Sequence, residues 1–251
     1  MPTRMPLQES EAIVLRSYPL GEADRLVSFL SRSAGRIRGV ARGARRPKSR
    51  FGASLEPLSH IRIWFYERET RELVRIHQCE LLESFLDAQR DFQCGCALAL
   101  MAEVAEAVLP EREAAEGAFR LLLHVAREIR DSHAVALPLA FYALWMVRLA
   151  GWLGDLERCA RCGASLREVA AWSRIGAAGL YCSRCRQGGM RALSAEALEL
   201  ARCMLTARLE NLRRFQDRIQ PLQELSRFYL DLIEYQIERK LLSRPMVEAG
   251  K

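Results

Sequence analysis

Four of the eight cysteines in this 251-residue chain form the pattern Cys159-Ala-Arg-Cys162, nineteen residues, Cys182-Ser-Arg-Cys185. A Cys-x2-Cys pair presents two thiolates from one tight turn, and two such turns complete a tetrahedral set of soft ligands suited to zinc. Four protein ligands leave no position for water. The expected role is therefore a structural staple, one Zn2+ per chain, in a segment too small to fold on burial alone. Base deaminases also carry Cys-x2-Cys zinc sites, but they need a His-x-Glu upstream and a proline just before the pair. This chain has no His-x-Glu, and Glu157-Arg158 precedes Cys159. A thioredoxin-type redox pair would need one Cys-x2-Cys between strand and helix, a context neither pair has. Cys79, Cys94, Cys96 and Cys203 lie in strand or helix patterns and read as core thiols.

The second chemical feature is cationic. From Gly35 to Phe51 the chain reads GRIRGVARGARRPKSRF, with Arg36, Arg38, Arg42, Arg45, Arg46, Lys48 and Arg50 and no acidic residue. Clustered cations repel one another, and a phosphate backbone relieves that repulsion while releasing its condensed counterions. Ile37, Gly39 and Ala41 alternate with Arg36, Arg38, Val40 and Arg42, so a strand projects three arginines from one face. Gly43 and Pro47 then break the pattern into what is expected to be a mobile loop carrying Arg45, Arg46, Lys48 and Arg50, closed by Phe51. Further on, Ile61, Ile63 and Phe65 alternate with Arg62, Trp64 and Tyr66, a basic and aromatic face suited to stacking bases beside phosphate contacts. The expected nucleic-acid-contacting residues are these seven cations with Arg62, Trp64 and Tyr66. The plainer alternatives are a solvated loop and aromatic rings docked on the rest of the protein.

Short strand-like runs at Ala12–Arg16, Arg25–Ser31, Ile37–Arg42, Ser59–Tyr66 and Leu73–Glu80 place these features on a small closed barrel of OB type, since closure removes exposed edges. Beyond Asp87 the sequence turns rich in alanine and leucine, predicting helices over 92–109, 113–130 and 135–151, another capped by Ser194, and a last one after Pro221 with two apolar stripes. The expected class is α+β: an OB-fold nucleic-acid-binding domain over 1–84, then a helical domain over 85–251 holding the cysteine insertion at about 155–190.

A formal charge of +7 with half the residues hydrophobic fits a folded protein with an anionic partner. The N-terminal segment shows no apolar signal region, and the apolar run over 134–153 contains Pro138 and Arg148. A cytoplasmic protein with a buried core helix, and no membrane partner, is the expectation. His60, His77, His124 and His133 are scattered, and no Gly-x4-Gly-Lys-Ser/Thr occurs, so neither a nucleophile–base pair nor nucleotide hydrolysis is indicated. The chain is expected not to be an enzyme.

Leu20-Gly21-Glu22-Ala23-Asp24-Arg25-Leu26, then Gly39-Val40-Ala41-Arg42-Gly43-Ala44-Arg45-Arg46-Pro47-Lys48-Ser49-Arg50-Phe51, then helices interrupted by four cysteines, resemble the RecO family of bacterial recombination mediators across nearly the whole chain. The resemblance implies an N-terminal OB fold and a helical domain with a zinc-binding insertion. It also implies binding of single- and double-stranded DNA, annealing of complementary strands without ATP, nucleoid association, and help in placing RecA on strands coated by single-strand-binding protein. The implied partners are RecR and the acidic tail of the single-strand-binding protein, for which Arg120, Arg127, Arg130 and Arg148 are candidate contacts. A zinc-stabilised RNA-binding or regulatory module is the alternative reading.

Overall fold

A computed structural model describes residues 6–67, 72–177 and 179–249; the first five residues of the segment read as lacking a signal lie outside it. Five strands, β1 (Leu7–Leu20), β2 (Asp24–Ser31), β3 (Gly35–Ala41), β4 (His60–Tyr66) and β5 (Val74–Glu83), close a barrel in the order β1-β2-β3-β5-β4, as expected of an OB fold. Neighbours are antiparallel except β3 and β5, which run parallel over three residue pairs. β1 is far longer than the apolar run at 12–16 because it serves two partners. Residues 7–13 pair with β4 and residues 12–20 with β2, with a register shift between Val14 and Arg16. At that shift Ala12, Ile13, Val14 and Leu15 are all buried, which hides the strand's alternation.

The barrel interior is filled by the inward residues of every strand, including Val14, Val27, Phe29, Ile37, Ile61, Ile63, Phe65 and Ile76. Phe29 and Phe65 meet edge to face with ring centroids 6.1 Å apart. A 3-10 turn at Gly52–Leu55 follows the basic segment, and Phe51 and Leu55 enter the same core.

Among the described residues seven α-helices follow: α1 (Leu86–Arg90), α2 (Phe92–Val108), α3 (Glu116–Ser132), α4 (Ala136–Leu149), α5 (Ala195–Thr206), α6 (Ile219–Gln236) and α7 (Arg244–Ala249). Asp91 caps α2 by accepting from the Cys94 N–H, and Ser194 caps α5 by accepting from the Ala197 N–H. The change in composition near residue 85 falls at the end of β5, whereas the compact units part at residue 130. One unit spans 1–130 with 243–251, and the other spans 131–242. In the first, α2 lies against β1, and its buried Glu103 is met by Arg16 Nη2 at 3.6 Å and by the Ser243 N–H at 2.8 Å. In the second, α6 packs on α4 and α5.

Leu225 and Leu232 of α6 are buried on one stripe and Leu230 and Ile233 on the other, while Tyr235 is 63% exposed and the helix ends before Leu241. Two three-residue strands, β6 (Ala171–Ser173) and β7 (Arg191–Leu193), escaped the sequence reading because three residues carry no periodicity. Among the described residues no helix is long and apolar enough to cross a membrane.

Gly35 opens β3 at φ +70°, and a Cβ there would lie 1.7 Å from the Glu113 carbonyl oxygen. Both the left-handed backbone and the close approach require glycine. Gly35→Ala should lower unfolding free energy by about 2–4 kcal/mol, read from the midpoint of urea unfolding. An unchanged midpoint would show that the 111–113 segment yields freely.

Candidate nucleic-acid interface and metal centre

β3 does what its alternation predicts: Gly35, Ile37, Gly39 and Ala41 face inward, and Arg36, Arg38 and Val40 face out. Two of those arginines are already held. Arg36 donates from Nε to the Leu109 carbonyl at 2.9 Å, and its Nη1 lies 3.0 Å from Glu111 Oε1. Arg38 Nε reaches the same carboxylate oxygen at 3.0 Å. The Arg112 N–H closes the arrangement on the Arg36 carbonyl. Glu111 sits seventy-five residues beyond Arg36, so no local pattern shows this pairing.

The segment after Ala41 is a series of hydrogen-bonded turns rather than the mobile loop expected from Gly43 and Pro47. Gly43, at φ +72°, donates its N–H to Asp24 Oδ1 at 2.8 Å. The Arg45 N–H donates to the Ala23 carbonyl at 2.9 Å, and Arg45 Nη1 donates to the Gly21 carbonyl at 2.7 Å. Further bonds run from the Arg46 N–H to Gly43 and from the Ser49 N–H to Arg46. The β1–β2 hairpin thus clasps the basic turn, and buried Phe51 anchors its far end, with the Arg50 guanidinium 5.1 Å from that ring's centroid. Arg42, Arg45, Arg46, Lys48 and Arg50 are all exposed, and among the described residues none is paired with a carboxylate. Asp24 and Ala23, which position the turn, were not read as functional; the signal was their place in the quoted Leu20–Leu26 segment.

On β4, Arg62, Trp64 and Tyr66 point outward as expected and are half-buried. The face is of mixed charge rather than basic. Trp64 Nε1 donates to Glu9 Oε2 at 2.9 Å, and Arg62 lies 3.6 Å from Glu9 and 3.3 Å from Glu80. Tyr66 meets His77 edge to face at 5.5 Å. Exposed Arg75 stands opposite both Val40 and Tyr66, adding a cation that the strand reading passed over.

The four cysteine sulfurs come together, all within 4.8 Å of one another. Cys162 and Cys182 Sγ are 3.7 Å apart, close to the roughly 3.8 Å edge of a tetrahedron with 2.3 Å metal–sulfur bonds. Each knuckle is a backbone turn: the Gly163 N–H donates to the Cys159 carbonyl with Gly163 at φ +70°, and the Cys185 and Arg186 N–H groups donate to Cys182. The Ala160 N–H to the Leu180 carbonyl joins the two turns, and the Trp172–Tyr181 bridge ties them to β6.

Desolvation opposes ionisation of Cys159, but backbone N–H groups of Cys162, Cys182 and Arg161 hold its pKa down to about 6. Cys182 is likewise lowered, against desolvation, by the Cys185 backbone N–H and by neighbouring thiols. Cys185 is pushed up to about 12, first by its contact with Cys162 and then by desolvation. Without an ion the cluster must share protons, and a bound cation removes that need. The residues present fit a four-thiolate metal centre.

Of the arginines read as contacts for an acidic tail, Arg127 and Arg130 are bound to Glu83, and desolvation of that carboxylate is outweighed so that its pKa is lowered. Arg120 is exposed, and Arg148 stacks on Trp145 at 4.6 Å.

Comparison with known proteins agrees with this geometry. The family model described as "Recombination protein O N terminal" matches residues 5–85, and "Recombination protein O C terminal" matches residues 89–245. A relative from Koribacter versatilis named "DNA repair protein RecO" is 39% identical over 242 residues, covering 96% of this chain and 98% of its own length. Relatives of the same name from a Nocardioides species and from Streptomyces coelicolor are 38% and 35% identical, covering 79% and 80% of this chain and 82% and 84% of theirs. The two family models together span the barrel and the helices, and the relatives are named for DNA repair, so this chain belongs to the recombination protein O family.

Proposed function

We propose that this chain is a cytoplasmic, nucleoid-associated recombination mediator. It binds single- and double-stranded DNA, anneals complementary strands without ATP, and assists RecA loading on strands coated by single-strand-binding protein, together with RecR. The observation that carries the DNA-binding reading is the turn at 42–50, where five exposed cations stand without a carboxylate on a hydrogen-bonded frame. A fixed array of cations neutralises phosphates without first losing the freedom of a loop, and it reads no base edge. Arg36 and Arg38, held by Glu111, contribute less, and Trp64 offers its ring while Glu9 holds its N–H. A carboxylate tail of the single-strand-binding protein would meet Arg120 or Arg148 before the two arginines held by Glu83.

We further propose that the metal is zinc, because four thiolates with no water position suit a closed structural site. The ion would be held by Cys159, Cys162, Cys182 and Cys185, and it supplies cross-linking rather than chemistry.

If the turn is the contact surface, log affinity for single-stranded DNA falls linearly with log salt. Replacing Arg45, Arg46 and Lys48 together by alanine should flatten the slope by about two units and weaken every sequence alike, with annealing reduced in step and folding nearly untouched. Anisotropy titrations from low to high salt measure this, and a wild-type slope in the triple variant would falsify the assignment. For the metal, elemental analysis should find about one zinc per chain. Cys162→Ser should lose it and lower the melting temperature by at least about 5 °C, while DNA affinity falls less than stability. A zinc-free wild type of full stability would remove the claim.

A further inference from the structure

Between residues 155 and 191 there are seven arginines and three acidic residues. Three of the seven have polar partners: Arg167 pairs with Glu157, Arg191 with Asp231, and Arg174 bonds Gln187. The other four, Arg158, Arg161, Arg184 and Arg186, are exposed and meet no carboxylate among the described residues. Their placement is not scattered. Arg161 and Arg184 occupy the same position in the two knuckles, each immediately before a cysteine, and those cysteines belong to a cluster whose sulfurs lie within 4.8 Å. Arg186 follows the second knuckle, and its guanidinium stands 5.3 Å from the centroid of half-exposed Trp172. Trp172 is fixed from both edges, by β7 and by the backbone pair with Tyr181.

We propose that the cysteine module is a second nucleic-acid surface, in which Arg158, Arg161, Arg184 and Arg186 contact a phosphate backbone and Trp172 offers a ring for base stacking. The inference rests on the DNA-binding reading above and adds a surface on the compact unit that does not hold the barrel. Unpaired guanidiniums on a short cross-linked scaffold keep their spacing, which suits repeated phosphates, and an aromatic ring beside them is the combination that single-strand binders use. A domestic role for these arginines exists: a dication with four thiolates retains two negative charges, which nearby cations offset. Two cations suffice for that, and four are present. Annealing also requires two strands to be held against their mutual repulsion, and two separate cationic surfaces supply that.

The test uses the full chain and a single-stranded oligonucleotide. Arg161→Gln, Arg184→Gln and Arg186→Gln are combined, and zinc content is measured first. With zinc retained, the slope of log affinity against log salt should flatten by about two units. The effect should add to that of the barrel-turn triple variant, and annealing should be lost more steeply than binding. Lysine at the same three positions should restore the slope, which a purely structural role would not require. If the glutamine triple loses zinc, the single variants are read instead, each flattening the slope by about 0.7. A wild-type slope in the zinc-loaded variants, with the barrel-turn triple still flattening, overturns this inference alone. Absence of salt-dependent binding by the wild-type protein overturns the DNA-binding reading itself.

Discussion

The parallel junction of β3 with β5 is the constraint on which the barrel and its basic turn depend. It consists of three pairs, Gly39 with Val74, Val40 with Arg75 and Ala41 with Ile76. A Cβ at position 39 would stand 2.7 Å from Val74 Cγ2 and 2.9 Å from Ile76 Cγ1, so the seam closes only around glycine. Closure there decides where β3 must end, and the chain that leaves Ala41 emerges beside the β1–β2 hairpin. From that exit the Asp24 carboxylate and the Ala23 and Gly21 carbonyls capture the turn before it can wander. The cations are therefore presented by the geometry of barrel closure, and the core residues Phe51 and Leu55 return the chain to the barrel at the other end.

The chain carries 38 basic residues against 31 acidic ones, a small excess that becomes consequential through its distribution. Arg16 is consumed by Glu103 and Glu106, Arg32 by Glu11 and Glu116, Arg36 and Arg38 by Glu111, and Arg127 and Arg130 by Glu83. Each of these carboxylates is also a contact between segments, so these arginines serve the fold. Among the described residues, five cations that meet no carboxylate gather on the turn after β3 and four on the cysteine module, while Arg75, Arg120 and Arg148 are exposed elsewhere. An even spread of the same excess would give a weak field everywhere, whereas clustering produces local potentials that a polyanion can meet.

The division between structural and free arginines was the part the sequence could not show. Alternation in β3 and β4 correctly put Arg36, Arg38, Arg62, Trp64 and Tyr66 on the outer face, because side-chain direction in a strand has period two. Their partners lie at Glu111, Glu9 and Glu80, and sequence separation carries no information about such pairings. The basic turn looked mobile for a related reason. Gly43 and Pro47 are turn residues, and whether a turn is held depends on acceptors elsewhere, here the β1–β2 hairpin. Helix identity was legible from composition and caps, while α1, α7, β6 and β7 are too short for any period to emerge.

The cysteine quartet was legible because its two halves are local: each Cys-x2-Cys is a single turn, and four-residue geometry follows from spacing alone. What spacing does not contain is how the halves meet. That is done by the Ala160–Leu180 and Trp172–Tyr181 backbone bonds and by Arg202, whose guanidinium donates to the carbonyls of Leu156 and Leu166 at 2.7 and 3.0 Å. Within this frame, backbone N–H groups of the knuckles outweigh desolvation and lower the pKa of Cys159 and Cys182, while Cys185 is raised, first by its contact with Cys162. Backbone N–H groups aimed at one sulfur of each knuckle favour its thiolate form, which is the form a metal ligand needs. The arginines of the knuckles thus sit on turns whose positions are set by backbone bonds reaching well beyond the Cys-x2-Cys spacing.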